Sequence, residues 1–533
     1  MATLKLAVVG GGIAGLAAAH RAIELAGTRG LDLDLTLLEA RDRLGGTIAT
    51  ERVGGFLVEA GPDSFLSEKP WALELCRRLG VEDRLVRTDD RYRKVFVWRG
   101  GRLHPLPDGF QLLAPTRLGP FVKSGLFSWR GKLRMALDLV LPRGTSDDES
   151  LGAFVRRRLE RLAPEPVAQP LVAGIYTADP DDLSLTSTMP RFGEMERRER
   201  SIILGLWRAG RKAPMTGTSG ARWSLFVTFA NGMEELVSAL ASRLPPGAAR
   251  LKQRVEGIER HGKGWRLLGG LGPPVEADHV IVAAESYAAS RLLRYVDPGL
   301  ATLLGEIPYA SSATVTLGYR RADVPGPLDA FGFVVPRAEG RALLACTFSS
   351  VKYPGRAPEG FLLLRSFVGG AMNEGVLQSD DGALVATTRD DLHQAAGGTA
   401  EPILTRVARW PKAMPQYHVG HAARVETIER CAAALPGLRL ARGAYRGVGI
   451  AVCVWARRKW KLRTLEAVTF EADTPEDVMF QGFNLTEIYA AGEDKIPGIE
   501  AAPLAEAVRA HGHRDGRFAP DLDRALDAVL ELG

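Results

Sequence analysis

Cysteine is scarce in this chain of 533 residues. The four that occur, Cys76, Cys346, Cys431 and Cys453, lie far apart and form no Cys-x-x-Cys pair, which argues against a zinc site and a disulfide framework. Buried apolar packing is the expectation for all of them. Long apolar runs are missing as well, since no stretch reaches the roughly 20 residues that a membrane-spanning helix needs. The first strand starts so near Met1 that no signal peptide fits before it, and a cytoplasmic protein is expected. No GxxxxGK[ST] loop appears, so the ATP-binding core of a P-loop enzyme is not expected. Repeats and low-complexity tracts are absent too. The net charge of +6 comes largely from arginine and is not gathered into a dense block, so nucleic acid is not an expected partner. No Ser/His/Asp set, metal cluster or reactive-cysteine motif stands out.

What is present begins at once. Lys5-Leu-Ala-Val-Val-Gly10-Gly11-Gly12-Ile13-Ala14-Gly15 is an apolar strand running into a glycine turn and a helix, the form of a dinucleotide-binding fingerprint. Gly10 suits the tight turn, Gly12 lets backbone amides approach a pyrophosphate, and Gly15 lets the helix pack closely on the strand. The helix N-terminus favours an anion there. Leu35-Thr-Leu-Leu-Glu39 is the second apolar run, and Glu39 lies roughly two dozen residues beyond Gly15, where a carboxylate can hold ribose hydroxyls. Arg43, Gly45 and Gly46 follow as a cationic turn with exposed backbone, suited to a second phosphate or to the flavin side of a long cofactor; read alone, they also fit a plain turn. This pairing resembles the flavoprotein oxidase superfamily of amine oxidases, phytoene desaturases and protoporphyrinogen oxidases, and the resemblance implies FAD rather than NAD.

The length suits two or three domains. Residues 1–68, 221–292 and 426–454 are expected to form a discontinuous nucleotide domain. In it Ala60, Gly61, Pro62 and Asp63 make a loop near the cofactor. Residues 69–95, 176–220 and 293–425 are expected to form a substrate domain around a mixed sheet, and residues 96–175 a helical subdomain. The fold class is therefore α/β, with a Rossmann-type domain, a mixed-sheet domain and a helical part. Between Asp108 and Arg143, apolar residues including Leu112, Leu113, Trp129, Leu133 and Leu137 alternate with Arg117, Lys123, Arg130 and Arg134. The pattern fits a membrane interface and a set of core helices with basic outer faces equally well.

The middle of the chain carries the more selective resemblance. Pro170-Leu-Val-Ala-Gly174-Ile-Tyr176 through Asp179-Pro180 to Ser184, then Ile307-Pro-Tyr309, Phe331 to Pro336, Phe367-Val-Gly369-Gly370 and Arg409-Trp410-Pro411, is similar to the blocks that mark protoporphyrinogen oxidases, in the same order. The resemblance runs from residue 1 to about 450. It implies oxidation of a porphyrinogen, protoporphyrinogen IX first and coproporphyrinogen III as the rival, with FAD taking hydrides and oxygen as acceptor. It also implies cofactor contacts at Gly11, Ile13, Ala14, Ala40, Val255 and Trp410, and a substrate beside Gly174 with Val334, Thr347 and Phe367 as apolar wall. Val334 and Phe367 also fit ordinary core packing. Arg93 or Lys94 matches the family's basic position for a propionate, and the sequence does not choose between them. A peripheral membrane contact and a homodimer are compatible with the family.

The resemblance breaks at the end. Arg442-Gly-Ala-Tyr-Arg-Gly447-Val448-Gly449-Ile450 keeps Val448, Gly449 and Ile450 as cofactor contacts, but Arg442 stands where the pattern has glycine, and Val452 where it has an acid or amide. An unpaired cation at 442 is expected to weaken flavin retention. Residues 455–533 form an atypical tail, whose segment from Asn484 to His513 resembles part of the last domain of UDP-N-acetylmuramate:L-alanine ligase.

Overall fold

Leu4–Val9, Leu33–Leu38 and His279–Val282 are short runs buried along most of their length, and such runs belong in a parallel sheet covered on both faces. In the computed structural model they pair in parallel, Val9 lying beside both Leu38 and Val282. Ala249–Arg250 extends the sheet beyond Leu33–Leu38, and Leu438–Leu440 extends it beyond His279–Val282. One five-stranded parallel sheet is thus assembled from distant stretches of chain. The structure describes residues 3–107, 110–111, 114–115, 118–159, 176–212, 226–270, 272–326, 328–455, 460–462 and 468–470. Gly174, Leu112, Leu113, Arg117 and the ligase-like segment lie outside the described residues.

The helix Ile13–Arg29 follows the first strand. Its alanines and Leu16 are buried, and Gly30, at φ 63°, ends it by donating to the carbonyls of Ala26 and Gly27. Pro70–Leu79, Glu234–Ala241 and Ile450–Trp455 share its core through Leu75, Cys76, Leu236 and Ile450.

A second sheet has seven strands, in the order Leu404–Pro415, Tyr309–Arg320, Phe361–Gly369, Leu343–Phe348, Gly332–Val334, Phe96–Arg99 and Arg102–Pro105. It is mixed, because Gly332–Val334 runs parallel to Phe96–Arg99 while the other pairs are antiparallel. Paired residues share a face. Val315, Leu317, Leu364, Cys346 and Phe333 form one apolar face, covered by the helix Asp381–Ala396. The other face carries Thr314, Phe367, Ala345 and Val334 in register, with Thr347 and Arg365 paired beside them.

Two boundaries of the expected helical part differ. Residues 96–105 are an edge hairpin of the mixed sheet, turned at Gly100-Gly101 with both glycines at positive φ. Gly-Gly between two short apolar runs is a hairpin signal that the sequence carried. Residues 176–212, expected with the substrate segment, are mostly helical and share the core of the helices in 118–159 through Phe121, Phe154, Leu183, Phe192 and Leu206. Arg158, fully buried, holds this unit by donating to Asp138 at 2.7 Å, and Ser201 donates to the same carboxylate at 2.5 Å.

Candidate functional site

The carboxyl ends of Leu4–Val9 and its neighbours open into a crevice whose walls are nearly bare backbone. Gly10 adopts φ +106°, and a Cβ there would lie 2.8 Å from the Ala283 carbonyl. At Gly15 a Cβ would lie 1.7 Å from the Gly10 carbonyl, so the helix can reach the strand only without a side chain. Gly12 is different. Its Cβ would meet only Gly46 Cα at 3.9 Å and Arg442 Nη1 at 3.5 Å, ordinary contacts that leave its backbone facing the crevice. Gly46, at φ +61°, stacks on Gly12, and the Gly45 amide donates to the Gly11 carbonyl at 2.9 Å. Ile13 and Ala14 begin the helix whose free amides point here.

Glu39 is buried at the end of its strand. Its carboxylate accepts from the amides of Gly11 at 2.6 Å and Arg41 at 2.8 Å, so the acid and the glycine turn are locked together. Ala40 follows it, exposed. A cavity of about 180 Å³ lies beside the same strand end, lined by Leu38, Arg250, Gln253, Arg254 and Val255. Arg43 does not reach outward as the sequence reading expects. It donates to the carbonyls of Leu44 (3.1 Å), Gly46 (2.7 Å) and Ile48 (2.8 Å), and so braces the turn that presents Gly45 and Gly46.

The Ala60–Asp63 loop is fastened to the mixed sheet. The Ala60 carbonyl accepts from Thr314 Oγ1 (3.1 Å), Arg365 Nη2 (3.3 Å) and Trp410 Nε1 (3.0 Å), and Arg365 also donates to Gly61. Gly61 is required, since a Cβ would lie 1.8 Å from the Thr47 carbonyl. Burial works to raise the pKa of Asp63, but Lys352, Arg365 and the Ser64 hydroxyl outweigh it and hold the carboxyl at about 2. Lys352 Nζ lies 3.6 Å and Arg365 Nη1 3.9 Å from it. Arg356, also buried, donates to Thr228 Oγ1 and the Phe229 carbonyl, both at 2.9 Å. Sequence reasoning missed Arg365, Arg356 and Lys352. The available signal was an arginine inside the apolar run Phe361-Leu-Leu-Leu-Arg365, because a buried cation needs fixed partners.

Val334, Thr347 and Phe367 come together on one face of the mixed sheet, the face that also carries Arg365 and Thr314. Val334 packs into the core of the helical unit, while Thr347 and Phe367 are half-buried. Arg93 and Lys94 are both exposed, just before the strand Phe96–Arg99. Lys94 pairs with Asp329 at 3.2 Å, and among the described residues Arg93 has no ion pair.

Beyond strand Leu438–Leu440, Gly447 and Gly449 take φ +145° and +102°, and Ile450–Trp455 forms a short helix. Val452 is buried and turns its methyls toward Gly447, so the altered position packs inside the turn. The expectation of an unpaired cation at 442 is corrected. Arg442 is ion-paired with Glu285 and donates to the Ala283 carbonyl at 3.3 Å, because strand Leu438–Leu440 ends beside His279–Val282.

A glycine crevice at the strand ends, with a buried acid on the second strand, suits an extended dinucleotide cofactor. The family model for "Flavin containing amine oxidoreductase" matches residues 13–448. A coproporphyrinogen III oxidase of Bacillus subtilis (strain 168) is 37% identical over 84% of this chain and 95% of its own length. Chloroplastic protoporphyrinogen oxidase 1 of Arabidopsis thaliana is 30% identical over 85% of this chain and 86% of its own. Among solved structures, a protein of Exiguobacterium sp. 255-15 provisionally assigned as a protoporphyrinogen oxidase superposes with a TM-score of 0.76 at 32% identity, over 86% of this chain and 98% of that one. This chain belongs to the family of flavin-containing amine oxidoreductases, and its cofactor is FAD.

Proposed function

We propose that the chain is a porphyrinogen oxidase, converting protoporphyrinogen IX to the conjugated porphyrin. Bound FAD supplies the hydride acceptor, and the protein's task is to bind and orient. In this reading Gly10 to Gly15, Glu39, Ala40, Gly45, Gly46, Ala60 to Asp63, Val255, Trp410 and Val448 to Ile450 hold the cofactor, with Arg43 shaping its turn. The carrying observation is the fastening of the Ala60–Asp63 loop by Thr314, Arg365 and Trp410. These residues stand on the sheet that also bears Val334, Thr347 and Phe367, so an apolar wall for the macrocycle is rigidly tied to the loop at the cofactor. Arg93, with no ion pair among the described residues, is the better candidate of the two cations to meet a propionate, since Lys94 is paired with Asp329. Anaerobic mixing with protoporphyrinogen IX should bleach the flavin, which takes up two electrons; admitting oxygen should restore the flavin with formation of hydrogen peroxide and, over three such two-electron rounds, yield porphyrin fluorescence. Failure of any porphyrinogen to bleach a fully loaded flavin would overturn the reading.

One observation favours a second substrate. The Bacillus relative named for coproporphyrinogen III is more similar to this chain than the plant relative named for protoporphyrinogen. That weighs toward the tetracarboxylate, and the ratio of kcat/KM for the two porphyrinogens decides between them.

We also propose that the protein is cytoplasmic and touches the membrane peripherally. Among the described residues no helix is long and apolar enough to cross a membrane. Trp129, Leu133, Leu137 and Val140 are exposed, at 72%, 71%, 43% and 76%, as a stripe along Trp129–Ala136 and the turn after it. Lys123, Arg130 and Arg143 are exposed beside them, and Asp138, the one acid between residues 118 and 143, is buried against Arg158. Apolar residues with a basic fringe suit an anionic bilayer surface. Sedimentation with phosphatidylglycerol vesicles should exceed that with phosphatidylcholine vesicles, and Trp129→Ser with Leu133→Ser should abolish it. Equal sedimentation of that double variant removes this part of the reading.

A further inference from the structure

The cation that the sequence motif supplies to the crevice is turned away from it. Arg43 donates to three carbonyls of its own turn, which leaves the crevice beside Gly12 to another arginine. Arg442 comes from the far end of the chain, at the close of Leu438–Leu440, and its Nη1 stands 3.5 Å from where a Cβ of Gly12 would be. The Glu285 carboxylate and the Ala283 carbonyl, at the end of His279–Val282, hold the guanidinium in place. Its side chain is 21% exposed, so it is neither deeply enclosed nor on the open surface. A guanidinium carries more N–H donors than these two acceptors use, and its planar fork suits phosphate oxygens.

We infer that Arg442, oriented by Glu285, is a binding residue for the pyrophosphate of FAD, contributed by the part of the chain that departs from the family pattern. The charge of Glu285 would repel an anion at Gly12 were Arg442 not between them, so the pair acts as a unit. Backbone amides at the helix N-terminus supply hydrogen bonds without net charge, and Arg442 adds the full charge that they lack. The inference rests on FAD occupying the glycine crevice.

Deflavinated full-length protein is titrated with FAD and, separately, with ADP, which carries the pyrophosphate and no flavin. Arg442→Met should raise both dissociation constants by similar factors of at least about tenfold, and should flatten their dependence on salt. Arg442→Gln can still reach Glu285 and Ala283 without charge, and should show the same losses if the methionine variant does not fold. Arg442→Lys should retain most of the ADP affinity. A loss confined to FAD, with ADP unchanged, would mean that Arg442 supports the flavin-side turn instead and would overturn the inference. Unchanged or tighter binding of both ligands would overturn it as well. Wild-type protein that binds FAD but not ADP would remove the pyrophosphate contact, whereas binding of neither would defeat the flavin reading itself.

Discussion

The parallel sheet and the mixed sheet deal with polar groups in opposite ways. At the mouth of the parallel sheet the chain strips side chains away, so that Gly10, Gly12 and Gly46 present backbone alone. On the face that carries Phe367 the mixed sheet buries polar side chains instead, Thr314, Thr316 and Arg365 among them, each less than a tenth exposed. One surface is bare backbone, and the other holds the Ala60–Asp63 loop in place. The lesson is that a recognition surface can be built locally from small residues, while a bracing surface draws polar side chains from several strands onto shared acceptors.

The sharpest way to break this contrast is at Arg365. Arg365→Met should destabilise the protein by about 3–5 kcal/mol, because Gly61 loses its donor and Asp63 one of its buried cations. Urea unfolding of the single variants and of the double variant with Asp63→Asn measures the coupling. Strict additivity would show that the two charges do not act together. Gly15→Ala comes next, at about 3 kcal/mol, since the new carbon meets a backbone carbonyl that cannot withdraw. Gly12→Val is the matched control: the melting temperature of the apoprotein should barely change while flavin retention is lost. Equal unfolding by both substitutions would erase the distinction between a packing glycine and a ligand-facing one.

A smaller effect concerns acid. The folded pKa of Asp63 is about 2, against 3.8 for an ordinary aspartate, so its ion pairs stabilise the fold above about pH 4. That stabilisation, about 2 kcal/mol, should fade as pH falls from about 4 to 2. Unfolding free energies at pH 5 and pH 3 should differ less in Asp63→Asn than in wild type; an identical difference would mean that Asp63 is not strongly paired. The smallest effect is expected at the surface. Arg93→Gln should raise KM for the porphyrinogen several-fold with kcat nearly unchanged, as uniform binding of a propionate requires. Lys94→Gln should do less, since Asp329 already shares its charge in a half-exposed pair. A loss in kcat alone would remove both from the substrate.

The glycine crevice was legible because each of its requirements is local. Gly10, Gly12 and Gly15 sit within one turn, and Glu39 closes the next strand, so spacing alone carries the geometry. The first strand of the hairpin at Gly100-Gly101 was equally legible, but that it joins the edge of the mixed sheet instead of the helical part expected over residues 96–175 depends on distant pairing. Val334, Thr347 and Phe367 were reached through resemblance, not through pattern, because an alternating strand looks the same whichever face meets a ligand. Arg43 shows the limit from the other side: the residue type was right for a phosphate, but only the fold could reveal that its donors point back into its own turn.

By itself the sequence determined the opening strand, glycine turn and helix and the second apolar strand that ends in Glu39, since hydrophobic runs and glycine positions act over a few residues, while the mixed sheet was expected only through the resemblance. Tertiary structure alone decided what meets across hundreds of residues. It brought Arg442 beside Gly12 and paired it with Glu285, turning an expected stray cation into a held one. It set Arg365 and Trp410 on the same Ala60 carbonyl. The physical reason is that the energy of a charge depends on its partners and its burial, and neither is a property of the neighbouring letters.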